Sequence, residues 1–105
     1  MKNFSESLKE TKENDDFFDV TLACEDDQIE AHKLVLSACS SFFRNILKRN
    51  PHAHPLLYLK GVKIEDLRNI LEYMYSGEVR VESTLVTSFL QTAEDLQVRL
   101  SIIIR

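Results

Sequence analysis

Apolar positions along the chain switch between helical and strand spacing, and each switch marks an element. Residues 3–14 are mostly polar or charged, with Phe4 and Leu8 one turn apart on a single face. Asn3 and Glu6 have capping-box spacing, so a short polar helix is predicted, with too little apolar surface to stand alone. From residue 19 the period becomes two: Val20, Leu22 and Cys24 alternate with Thr21 and Ala23, which predicts a strand over 19–24. Asp26-Asp27 then forms a turn, and residues 28–32 form the returning strand.

Helical spacing follows in Leu34, Val35, Ala38, Cys39, Phe42, Phe43, Ile46 and Leu47. The pattern predicts two helices broken at Ser40-Ser41, with Ser41 capping the second, and Pro51 beyond its end. Leu56-Leu57-Tyr58-Leu59 is a continuous apolar run of the kind expected in a buried strand, and Gly61 marks a turn. Ile64, Leu67, Ile70, Leu71, Met74 and Tyr75 predict a helix over 64–76, closed by Gly77. Val79-Arg80-Val81 reads as a short strand. A last helix is capped by Ser83 and carries Leu85, Val86, Phe89, Leu90, Ala93 and Leu96. The chain finishes on the β-branched run Ile102-Ile103-Ile104. The resulting order, α-β-β-α-α-β-α-β-α, predicts an α+β fold with a small mixed sheet against a helical cluster. A chain of 105 residues supports one such domain. Its core is expected over 19–98, and no role is assigned to residues 99–105.

Composition narrows the class. The chain has two glycines and two prolines, which leaves no room for a linker or a Gly-rich phosphate loop. No apolar run approaches the roughly 20 residues of a membrane span. The first residues lack the apolar stretch of a signal peptide. Cys24 and Cys39 make no disulfide framework, so a reduced compartment is expected. Residues 1–30 carry a net −7 and residues 31–105 a net +3, with no acid between Ala31 and Ile64 against six bases. That stretch could offer an electropositive patch to an acidic partner, but ordinary exposed helix and loop positions explain it more simply. A pI of 5.3 argues against direct nucleic-acid binding.

Candidate chemistry is sparse. His52-Ala53-His54 is a weak metal motif that two solvated loop histidines also explain. Cys39 sits on an apolar helical face, as a structural cysteine does. Asp15-Asp16 and Asp26-Asp27 are adjacent in sequence and do not face one another across a cleft. No acid–base pair or triad emerges, so an enzyme is not expected, and no cofactor, metal or small-molecule substrate is implied. One pair stands out. If the strands pair about the Asp26-Asp27 turn, Asp19 and Lys33 meet at one sheet edge. Such a pair is either a partly buried unit or an exposed contact of about 0–1 kcal/mol.

Several spaced blocks carry a resemblance: Phe18-Asp19-Val20-Thr21-Leu22; Glu30-Ala31-His32-Lys33-Leu34-Val35-Leu36-Ser37-Ala38-Cys39-Ser40; Phe42-Phe43; His54-Pro55; Leu71-Glu72-Tyr73-Met74-Tyr75-Ser76-Gly77-Glu78-Val79; and Ala93-Glu94-Asp95-Leu96-Gln97. In this order they resemble the BTB (POZ) domain, in wording nearest the insect tramtrack and bric-à-brac kind. The resemblance implies a BTB/POZ fold and a homodimeric protein–protein interaction module of a nuclear transcriptional or chromatin regulator, with co-repressor or chromatin proteins as partners. It places the dimer contact on the helix over 3–14, with Phe4, Leu8, Phe17 and Phe18 supplying apolar surface. It makes Asp19 and Lys33 a charged pocket at the interface. Tramtrack-type members begin with a Trp-containing strand that this sequence does not show, so assemblies larger than a dimer are not expected. The family's Gly-Leu is absent after Gln97. A cullin-ligase adaptor is the alternative, but the loop Lys48-Arg49-Asn50-Pro51-His52-Ala53-His54 carries no glutamate of the cullin-binding motif.

Overall fold

Val20, Leu22 and Cys24 have no exposed surface, because the alternate residues of β1 (Val20–Cys24) all face the helices. The computed structural model of the chain describes residues 17–25 and 27–100. The helix expected over 3–14 and the run 101–105 lie outside them. β1 pairs antiparallel with β2 (Asp27–Ala31), Val20 opposite Ala31 and Cys24 opposite Asp27. On its other side it pairs in parallel with β3 (Leu56–Tyr58), giving the order β2-β1-β3. Glu25 takes a positive φ of 46° where the hairpin turns, the conformation that a tight return requires.

Two helices follow β2: α1 (Lys33–Cys39) and α2 (Ser41–Arg49). The break falls where the sequence suggests, but Ser40 makes the cap instead of Ser41. Its Oγ accepts the Phe43 amide at 3.1 Å and donates to the Leu96 carbonyl at 2.5 Å. One serine thereby ends α1, starts α2 and ties both to the C-terminal segment. Ser40 also bridges to Val98. α3 (Ile64–Ser76) buries Leu67, Ile70, Leu71, Met74 and Tyr75 at helical spacing. It ends at Gly77, whose φ of 82° lets its amide return to the Tyr73 carbonyl at 2.8 Å. α4 (Val86–Asp95) packs Phe89 and Ala93 against α3.

Three expectations are corrected. Leu56-Leu57-Tyr58 does form a strand, but an edge strand: Leu56 and Tyr58 are each 60% exposed. An apolar run alone does not distinguish a strand covered on both faces from one covered on a single face. Val79-Arg80-Val81 forms no strand, since no neighbouring strand among the described residues pairs with it. Val79 and Val81 still pack against the core, which accounts for their alternation. Ser83 does not cap α4. It opens a single 3₁₀ turn (Ser83–Leu85), and the helix starts three residues later.

Candidate functional site

The hairpin brings the two ends of the β1–β2 ladder together, so Asp19 and Lys33 meet as the sequence suggests. The contact is not between their charges. The Asp19 carboxylate accepts the backbone amide of Lys33, the first residue of α1, at 2.7 Å. A carboxylate there satisfies an otherwise orphaned amide and complements the positive end of the helix. The Lys33 ammonium instead donates to the carbonyls of His52 (2.5 Å) and Ala53 (3.3 Å), fixing the loop between α2 and β3. Among the described residues, Arg68 forms an ion pair with Asp27 at 2.9 Å, and the His54 ring lies 4.0 Å from the Glu30 carboxylate.

Apolar surface flanks this junction. Phe17 is 86% exposed at a φ of 65°, and Leu34, next to Lys33, is 67% exposed. Phe18 is half-buried, its ring 4.8 Å from that of His32. Beneath it, the Tyr75 hydroxyl accepts the His32 amide at 3.0 Å and lies 2.5 Å from His32 Nδ1. Burial pushes the Tyr75 hydroxyl up to about 12, so it keeps its proton and can donate it to Nδ1. Phe4 and Leu8 lie outside the described residues, so the structure brings together Phe17, Phe18, Asp19 and Lys33 of the predicted site.

Sequence reading did not find a second feature. An open cleft of about 450 Å³ lies where the α1–α2 break meets the end of α3, and Arg44 and Arg99 both line it with Cys39, Ser41, Tyr73 and Gln97. Arg44 and Arg99 are far apart in sequence, and the contacts of Ser40 with Leu96 and Val98 help bring them together. The Ser41 hydroxyl donates to Gln97 Oε1 at 2.6 Å across one wall. Burial raises the Cys39 thiol and keeps it protonated, and it donates to the Met74 carbonyl at 3.9 Å. His54 is engaged by the Thr21 hydroxyl at 2.9 Å, and no cluster of three metal-ligating side chains occurs among the described residues.

The fold and the hairpin-to-helix junction carry the family resemblance noted in the sequence. The sequence model of the BTB/POZ domain matches residues 8–103, and the chain belongs to that family. It is 47% identical over 93 residues to Protein abrupt of Drosophila melanogaster, covering 89% of this chain and 10% of that protein. It is 51% identical over 81 residues to the Sex determination protein fruitless of the same organism, covering 77% of this chain and 8% of that protein. The chain therefore spans about a tenth or less of these relatives. Among solved structures, the BTB domain of human Gigaxonin matches with a TM-score of 0.76 at 28% identity, over 88% of this chain and 75% of that one. The α+β BTB fold expected from the sequence is the one observed.

Proposed function

We propose that this domain self-associates as a two-fold homodimer and recruits partner proteins to a transcriptional regulator in the nucleus. Its relatives are BTB transcription factors of Drosophila, and BTB domains are interaction modules. One observation in the fold carries the reading. Phe17 and Leu34, two large apolar side chains, are left exposed on either side of the Asp19–Lys33 junction. They stand near the start of the described residues, and the dimer contact we propose adds Phe4 and Leu8 to them. An isologous contact would cover this surface with its own copy, joining apolar rings around a charged centre. Asp19 and Lys33 serve that contact by holding β1, α1 and the 50–54 loop in register. The cleft beneath Arg44 and Arg99 is the favoured place for a partner segment, whose acidic groups would meet the two guanidinium ions.

Sedimentation of the full chain tests the reading. Two-chain mass at low micromolar concentration is expected, with conversion to single chains in Phe4→Asp/Leu8→Asp. A single-chain mass for the unsubstituted protein contradicts it.

A further inference from the structure

The cleft between the α1–α2 break and the end of α3 carries charge of one sign only. Arg44 and Arg99 line it, and no acid does. Both arginines are exposed, and neither guanidinium has an ion-pair or hydrogen-bond partner among the described residues. Like charges gathered on one cleft raise its potential and draw in an anion. The hydrogen-bonding groups agree with the charge. Arginine carries donors and no acceptor. Gln97 Oε1 is taken by the Ser41 hydroxyl at 2.6 Å, which leaves the Gln97 amide hydrogens to donate. Gln97 holds this place at a φ of 52°, a left-handed conformation uncommon for a residue with a side chain.

These donors are fixed before any ligand arrives. The Ser40 hydroxyl donates to the Leu96 carbonyl at 2.5 Å, and Ser40 bridges to Val98. The segment with Gln97 and Arg99 is thereby held against the start of α2, which carries Ser41 and Arg44. Groups positioned in advance on packed elements bind at a smaller cost in entropy.

We infer, resting on the partner-site reading of this cleft, that it recognises a phosphorylated serine or threonine in the partner segment. Charge decides between the acidic groups that a protein can offer. A carboxylate has one charge and two oxygens, and a single guanidinium satisfies it with two parallel hydrogen bonds. The second arginine would then stay unpaired. A phosphate monoester carries about −1.5 to −2 at pH 7 and three acceptor oxygens, enough to engage both guanidinium ions at once. A third oxygen is left for the Gln97 amide. Size decides between a free ion and a chain. At about 450 Å³ the cleft falls in the range that takes ligands of many atoms, well above a lone phosphate. Binding at this cleft therefore depends on the phosphorylation state of the partner.

The test uses the immobilised full chain and three sets of short peptides, randomised except at the centre, which is phosphoserine, glutamate or serine. The phosphoserine set should be retained roughly tenfold more than the glutamate set, and the serine set should wash through. Arg44→Gln/Arg99→Gln should abolish that preference. Lys48→Gln/Arg49→Gln removes the same charge from the far end of α2 and should keep it. All four positions are exposed, and circular dichroism checks that both variants are folded. Equal retention of the phosphoserine and glutamate sets, lost in Arg44→Gln/Arg99→Gln, overturns phosphate recognition and leaves the cleft as a site for acidic segments. A phosphoserine preference that survives Arg44→Gln/Arg99→Gln, or that falls equally in Lys48→Gln/Arg49→Gln, overturns the cleft as its site. Retention of none of the three sets overturns both readings.

Discussion

Asp19 and Lys33 are joined through the Lys33 main chain at 2.7 Å, and the Lys33 ammonium turns away to the carbonyls of His52 and Ala53. The two charges therefore act on different parts of the fold. Asp19→Ala should cost about 0.5–2 kcal/mol, the usual loss for a helix-capping acceptor, whereas Asp19→Asn keeps an oxygen for the amide and should cost less. Lys33→Ala leaves the amide in place and frees the 50–54 loop. A double-mutant cycle by denaturant unfolding should give a coupling energy near zero. A coupling above about 1 kcal/mol would mean that the charges act directly on one another.

Tyr75 is the buried partner of His32. Tyr75→Phe leaves a buried amide without its acceptor and should destabilise the fold by about 1–3 kcal/mol. The midpoint of denaturant unfolding measures it.

The same hydroxyl makes stability depend on alkaline pH. Its folded value is raised by burial from 10.0 to about 12, so the folded state holds the proton more tightly than the unfolded one. Its contribution is complete below pH 10 and is lost as the pH rises through about 12. The buried Cys24 thiol and the half-buried Cys39 thiol, also raised above their ordinary value of 9.0, act in the same direction from a lower pH. Thermal unfolding against pH should show stability falling above about 9, with the part between 10 and 12 missing in Tyr75→Phe.

Asp66 is 1% exposed in the first turn of α3, and its Oδ2 accepts from the hydroxyls of Ser88 and Thr92 on α4. Its Oδ1 has no partner among the described residues. Ser88→Ala should therefore loosen the α3–α4 contact and cost about 1–3 kcal/mol, read by urea unfolding. A cost within 0.5 kcal/mol would mean that solvent already serves this carboxylate.

The sequence makes legible those elements whose signals are local. Period-two alternation marks β1, the apolar stripe marks α3, and Gly77 sits at the left-handed position that ends it. What it conceals depends on distant neighbours. Ser40 is the cap instead of Ser41 because Leu96, far along the chain, receives its hydroxyl. Val79-Arg80-Val81 has a strand's letters without a partner strand among the described residues. Asp66 reads as an ordinary acid at a helix start until α4 folds over it. At the candidate site, the meeting of Asp19 and Lys33 follows from hairpin arithmetic. The direction of the lysine does not, because it depends on where the 50–54 loop runs. The Arg44–Arg99 cleft needs the return of the C-terminal segment and has no local signature.

Self-association is the central claim, and sedimentation equilibrium of the full chain at low micromolar concentration tests it most directly. The account predicts a mass of no less than two chains, reduced to one by Phe4→Asp/Leu8→Asp with the circular dichroism of the folded protein retained. A single-chain mass of 12.2 kDa for the unsubstituted protein would contradict it.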